Sequence, residues 1–122
     1  MQLPTPSPER LAASDEALKS LPGYSNHAPG DKEFAVLDPS TEERIATLPS
    51  MTPQEALSEV AIADKAGRNW AKTTPRLRSD TLHNVYAVLI ANQQRLAYVI
   101  SREMGKPLAE SQGEVQYAAD YV

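Results

Sequence analysis

Side chains that could do acid–base chemistry are few and far apart in this sequence. The two histidines, His27 and His83, lie in a predicted loop and on a predicted helix, and no spacing pairs them. A catalytic or metal-binding histidine needs partners that shift its pKa or share a ligand, and the sequence identifies none. A structural or solvated role is therefore the favoured interpretation of both.

The carboxylates are spread over predicted helix surfaces, which favours solvated side chains. Glu110 and Glu114 lie one helical turn apart, but like charges at that spacing repel more often than they catalyse. The five glycines form neither a G-x-G-x-x-G nor a P-loop pattern. With no cysteine, the sequence offers no thiol nucleophile, thiolate ligand or disulfide. No complete active site is visible in these 122 residues.

Composition argues against two classes of partner. The net charge is −4 and the basic residues are scattered, so nucleic acid is not expected as a partner. No stretch approaches the roughly 18 apolar residues of a membrane span, so no membrane partner is expected either. The absence of cysteine and of a signal-peptide pattern is compatible with a cytoplasmic location, which we predict.

Two short runs rich in β-forming residues, 33–37 and 44–48, predict a β-hairpin that must pack on something else to be stable. The remainder predicts four helices. Starts are indicated by the capping box of Thr52–Glu55, by Thr74-Pro75, by Asn92 and by Lys106-Pro107, and the third helix ends at Gly105. The residues expected on buried helix faces are Ala56, Val60, Ala63, Gly67 and Trp70; Leu82, Val85, Tyr86 and Leu89; Leu96, Val99 and Ile100; Leu108, Val115, Ala118 and Val122.

The last predicted helix is still amphipathic at Val122, with no glycine or asparagine cap and no proline after it. We therefore expect the sequence to be a truncated piece of a longer protein. Just before this helix, the motif Glu103–Pro107 has structural explanations for each residue. Gly105 suits a left-handed helix end, Lys106 can meet the last carbonyls, and Pro107 starts the next helix.

That motif is one of several segments that share an order and spacing with a known family. The segments are Leu37–Thr41 with Ile45–Pro49, Trp70-Ala71, Arg78, Glu103–Glu110 and Gly113–Ala119. From about Glu33 to Val122 the sequence resembles the N-terminal part of NAD(P)-dependent aldehyde dehydrogenases, most of all the succinate-semialdehyde dehydrogenase group.

The resemblance implies a fold that is mainly α with one β-hairpin, an α+β fragment. It corresponds to the N-terminal part of the family's cofactor domain, without its Rossmann-like sheet. We predict that residues 1–32 are an N-terminal tail, partly disordered or with one short helix through Lys19, and that 33–122 are the hairpin and helices of this incomplete domain. The family's catalytic and cofactor-binding residues come later, so no catalytic or cofactor-binding residue is expected here. NAD or NADP would serve the complete protein, and this chain alone would bind neither.

The resemblance also implies a monovalent cation held by the Glu103 carboxylate and the Val36 backbone carbonyl, with a further ligand from beyond this segment. Two residues depart from the family's N-P-x-T-G-E hairpin. Asp38 stands where asparagine is usual, and Glu42 stands where glycine is usual. Since that second position is expected to be left-handed, a side chain there costs roughly 1 kcal/mol.

The leading hypothesis is a truncated aldehyde dehydrogenase segment that is not catalytic alone. The complete protein would oxidise an aldehyde, with succinate semialdehyde favoured, to the carboxylic acid with NAD(P)⁺. The alternatives are a non-catalytic helical interaction module, a remnant of a dehydrogenase gene, or an unrelated small helical domain. The expected partner is the remainder of the dehydrogenase, or a second copy that associates through the exposed apolar helix faces.

Overall fold

The computed structural model describes residues 8–20, 25–26 and 30–122. His27, one of the two candidate histidines, lies outside these residues. Within the described parts the order of elements is α1 (Pro8–Lys19), β1 (Glu33–Leu37), β2 (Arg44–Pro49), α2 (Pro53–Trp70), α3 (Pro75–Ala91), α4 (Gln93–Met104) and α5 (Leu108–Asp120). The predicted class, mainly α with one hairpin, is confirmed.

The hairpin pairs β1 and β2 antiparallel, with Glu33 opposite Pro49 and an irregular step before Leu37. Its turn closes through a hydrogen bond of 2.8 Å from the Glu42 N–H to the Asp38 carbonyl. Glu42 has φ 62°, which confirms the predicted left-handed position that usually belongs to glycine.

The first two long helices begin where the sequence predicts. The Thr52 hydroxyl accepts from the Glu55 N–H at 3.2 Å, and the Glu55 carboxylate accepts from the Thr52 N–H at 2.7 Å, which completes the capping box. The backbone and side-chain hydrogen bonds from Thr52 lower the pKa of Glu55. Thr74 caps α3 in the same way, accepting from the Leu77 N–H at 3.2 Å.

Asn92 occupies the predicted cap position before α4 but does not make the expected cap bond. Its φ of −106° and ψ of 9° differ from the extended backbone that points a cap side chain at the first turn. The side-chain amide instead donates back to the Val88 carbonyl at 2.8 Å, and its oxygen accepts from Arg95 at 3.3 Å. Asn92 therefore fastens the α3–α4 corner rather than the start of α4.

The core is small and lies between α1, α4 and α5, with part of β2. The buried apolar residues are Ala17, Leu18, Ile45, Ala46, Ala97, Val115 and Ala119. On α5 the buried line is Ser111, Val115 and Ala119, so the predicted face is right at Val115 and wrong at Ala118 and Val122, which are exposed. The Ser101 and Ser111 hydroxyls, 2.9 Å apart, join α4 to α5 inside this contact.

Helices α2 and α3 contain no buried residue. Val60 is 64% exposed and Trp70 40%, although the sequence predicts both on a buried apolar stripe of α2. The corresponding face of α3, with Leu82 and Val85, is exposed as well. In the part of the chain that the structure describes, no helix is long and apolar enough to cross a membrane.

Candidate functional site

The hairpin turn and the α4–α5 corner, which carry two of the segments that resemble the family, meet in the fold. Gly105 ends α4 with φ 70°, as predicted, and its N–H donates to the Ser101 carbonyl at 2.9 Å. A Cβ added at Gly105 would lie 3.0 Å from Cγ of Pro39 in the hairpin turn. Glycine is therefore favoured here both by the backbone conformation and by the close approach of the turn.

A buried ion pair lies at the same place. Nε of Arg102 is 2.8 Å from Oδ2 of Asp38, and the two side chains are only 11% and 2% exposed. The other Asp38 oxygen accepts from the Ser40 N–H at 2.8 Å and from the Ser40 hydroxyl. Both carboxylate oxygens are thus engaged, which is the condition for a stable charge at a buried position.

The pKa of Asp38 is lowered. Burial acts in the opposite direction and is the largest single influence, but the hydrogen bonds from Ser40, the charge of Arg102 and the backbone hydrogen bond from Thr41 together outweigh it. Asp38 is therefore ionised at neutral pH, and the contact with Arg102 is an ion pair rather than a neutral hydrogen bond.

Arg102 also faces a carboxylate of the first helix. Its Nη1 lies 3.5 Å from Oδ1 of Asp15 on α1, whose side chain is about half exposed. Sequence reasoning missed this arrangement. The available signal was the coincidence of two charges, Asp38 in the place of the family's asparagine and an arginine next to Glu103.

Lys106 forms an ion pair with Glu114 one and a half turns along α5. The prediction that Lys106 meets the last carbonyls of α4 is wrong. Gly105 already donates to one of those carbonyls, and the start of α5 brings Glu114 within reach of the ammonium group. Glu114 is thus neutralised by Lys106, which relieves its repulsion from Glu110 one turn away.

The two predicted cation ligands lie at the ends of the elements that the ion pair joins. Val36 is half-buried near the end of β1, and Glu103 is exposed near the end of α4. Carboxylate and carbonyl oxygens are the donors that a hard cation prefers, but two of them are fewer than such an ion takes. The described residues contain no group of three or more His, Cys, Asp or Glu side chains that could hold a metal. The cation site stays a prediction.

The remaining candidates have local explanations. The His83 ring is exposed, and its Nδ1 lies 2.9 Å from the Ser79 carbonyl one turn earlier in α3. A groove of about 370 Å³ lies between parts of α1 and α4 and is open to solvent. Its lining consists of Ala13, Glu16, Ala17, Ser20, Gln94, Arg95 and Tyr98.

The aldehyde dehydrogenase family model matches residues 26–122, which include the hairpin, the ion pair and the α4–α5 corner. The chain belongs to the aldehyde dehydrogenase family. The resemblance to this family is thereby confirmed. The family match begins after α1, so Asp15 lies outside it while Asp38 and Arg102 lie within it.

Similar proteins include several semialdehyde dehydrogenases. The chain is 38% identical over 95 residues to a glutarate-semialdehyde dehydrogenase of Pseudomonas putida, an alignment that covers 78% of the chain and 20% of that protein. It is 38% identical over 78 residues to a succinate-semialdehyde dehydrogenase of Paenarthrobacter nicotinovorans, covering 64% of the chain and 17% of the relative.

A third relative is the NADP(+) succinate-semialdehyde dehydrogenase of Saccharomyces cerevisiae, at 36% identity over 91 residues, 75% of the chain and 18% of that enzyme. The chain thus spans about a fifth of the length of the curated relatives it matches.

Proposed function

We propose that residues 33–122 are the hairpin and first helices of an aldehyde dehydrogenase cofactor domain. The complete protein oxidises a semialdehyde, succinate semialdehyde first, to the carboxylic acid with NAD⁺ or NADP⁺. The observation that carries the proposal is the family match over residues 26–122. The choice of substrate is supported by relatives named for succinate and glutarate semialdehydes.

The role of these residues in that enzyme is architectural. The family's chemistry needs a thiol that attacks the aldehyde, and the sequence has no cysteine. The nicotinamide cofactor, when bound by the complete protein, accepts the hydride. The residues described above fix the hairpin against α4 and α5, and a truncated segment of this kind is not catalytic on its own.

The open face of α2 and α3 is the surface that the rest of the dehydrogenase covers in this proposal. Both helices have complete N-terminal caps, yet neither buries a residue within the chain. Exposed large apolar side chains along them include Leu57, Val60, Ile62, Leu77, Leu82 and Val85. Large apolar side chains exposed in this number are typical of surfaces that contact other protein.

The direct test is an activity assay of the full natural protein. We expect reduction of NAD⁺ or NADP⁺ with succinate semialdehyde, with glutarate semialdehyde as the comparison substrate, and no reduction by residues 1–122 alone. The absence of turnover with either semialdehyde, from a protein that binds the cofactor, would contradict the substrate proposal. Turnover by residues 1–122 would contradict the architectural role.

A non-catalytic interaction module is the second candidate, and the same exposed α2–α3 face favours it. The reading frame beyond Val122 separates the two. A frame that continues through a glycine-rich turn and a cysteine supports the dehydrogenase, and an immediate stop codon supports the module or a gene remnant. A cytoplasmic location and the cation site at Val36 and Glu103 belong to the dehydrogenase proposal. Potassium against choline in the activity assay tests the cation site.

A further inference from the structure

We propose that Arg102 is a positioning residue that docks two separate segments onto α4 with one guanidinium group. The first segment is the hairpin turn, through Asp38, and the second is α1, through Asp15. In this arrangement α1 is a strap whose hold on the domain depends on the same side chain that seats the hairpin.

The burial of the pair explains why the hairpin contact is strong. Asp38 is 2% exposed and Arg102 11%, so each charge has lost most of its water and depends on its partner. Removing one member of such a pair leaves a buried charge without compensation, which is far more costly than losing an exposed pair.

The geometry of arginine explains how one residue can serve two segments. The guanidinium is a broad planar cation, so Nε can lie 2.8 Å from an Asp38 oxygen while Nη1 lies 3.5 Å from an Asp15 oxygen. A lysine ammonium is a single compact charge on a flexible stem, so it cannot lie beside both carboxylates at these distances.

The position of α1 makes the second contact informative. Helix α1 precedes the family match, which begins at residue 26, and it packs on α4 with Ala17 and Leu18 buried. Arg102 thus connects a segment outside the matched region to the turn that carries the family's hairpin motif. The departure at Asp38 gives the hairpin end of this connection its charge.

The experiment is hydrogen exchange of backbone amides in the full natural protein and four variants. Arg102→Met is expected to accelerate exchange in β1 by at least about tenfold and in α1 by about two- to fivefold, because the buried Asp38 and the half-exposed Asp15 both lose their charged partner. Asp15→Asn is expected to accelerate exchange in α1 and leave β1 unchanged. Arg102→Lys keeps a positive charge beside Asp38, so we expect the exchange of β1 to stay slow and the exchange of α1 to accelerate.

Arg76→Met on α3 is the matched control, because it makes the same substitution in an exposed ion pair with Asp80. We expect it to leave α1 and β1 unchanged. Unaltered exchange of α1 in Arg102→Met, or equal loosening of α1 and β1 in Asp15→Asn, would overturn the proposal. If Arg102→Met unfolds the whole protein, Arg102→Lys and Asp15→Asn test the proposal instead. Exchange that accelerates equally in α1 and β1 in both of these variants would overturn it. The readout does not depend on dehydrogenase activity.

Discussion

Two regions of the molecule differ in how much they bury. The first consists of the hairpin, α4 and α5, and the second consists of α2 and α3. The helices of both regions begin where the sequence predicts, but a side-chain cap hydrogen bond is present only at the starts of α2 and α3 and absent at those of α4 and α5. The first region buries Val115, Ala119 and the Asp38–Arg102 pair, whereas the second buries nothing. The difference shows that capping and periodicity determine where a helix forms, while burial depends on which surfaces the chain supplies to cover it.

The electrostatics of the two regions differ in the same way. On α2 and α3 the ion pairs Arg68–Asp64 and Arg76–Asp80 lie between exposed side chains one turn apart. Such pairs contribute at most about 1 kcal/mol. The pair at the hairpin turn is buried, so its loss affects the packing of whole segments rather than one helical turn.

The largest expected effect is at Asp38. Asp38→Asn keeps the shape of the side chain but removes the nearest and most buried carboxylate from the Arg102 charge, so we expect a loss of about 3–5 kcal/mol in the free energy of unfolding. Asp80→Asn, the control in the exposed pair, should change it by less than about 0.5 kcal/mol. Urea unfolding followed by circular dichroism measures both. Equal effects would contradict the contrast between the two regions.

The same pair makes stability depend on pH. The pKa of Asp38 is lower in the folded protein than in the unfolded chain. Its contribution is therefore present above the unfolded pKa of about 4 and is lost as the pH falls through the lower, folded value. Urea midpoints from neutral to acidic pH should decline more steeply for the natural sequence than for Asp38→Asn. Parallel curves would show that Asp38 is not the group responsible.

The same valine truncation should have different effects in the two regions. Val115 is 4% exposed, so Val115→Ala should cost about 1–3 kcal/mol in residues 1–122, whereas Val60→Ala, at a position that is 64% exposed, should cost less than about 0.5 kcal/mol. In the full natural protein Val60→Ala should lower the free energy of unfolding by more, because we propose that the rest of the dehydrogenase packs on α2. A neutral Val60→Ala in both contexts would count against that cover.

Alanine substitutions at two glycines give the smallest and most local comparison. Gly105→Ala should destabilise the protein by about 1–2 kcal/mol, because alanine is disfavoured at the left-handed φ of 70° and its Cβ would lie 3.0 Å from Cγ of Pro39. Gly67→Ala on α2 meets nothing within 4 Å, and should stabilise by about 0.5–1 kcal/mol through helix propensity. Thermal unfolding of the two variants measures the difference, and the same sign for both would refute it.

The features that sequence reasoning predicted correctly are those decided within a few residues. The Thr52 capping box, the left-handed Glu42 and Gly105, and the hairpin all follow from local backbone and turn chemistry. The prediction is right about the position of Asn92 before α4 and wrong about its hydrogen bond. The Asn92 backbone has φ −106° and ψ 9°, and its side chain donates to the Val88 carbonyl of α3 instead.

The features that could not be predicted depend on contacts between distant segments. Arg102 meets Asp38 and Asp15 across 64 and 87 residues of chain, and no periodicity encodes such a meeting. The buried line of α5 runs through Ser111 and Ala119, whose small size suits close approach to α4 but gives little hydrophobic signal. The structure gives Asp38 a partner in Arg102 and gives Glu42 a strained left-handed conformation.

The central claim is that the α2–α3 face is completed by the rest of an aldehyde dehydrogenase. The most direct measurement is amide hydrogen exchange of α2 and α3, compared between residues 1–122 and the full natural protein. The account predicts fast exchange in the segment and strong protection in the full protein, while α4 and α5 change much less. Equally fast exchange of α2 and α3 in both would contradict it.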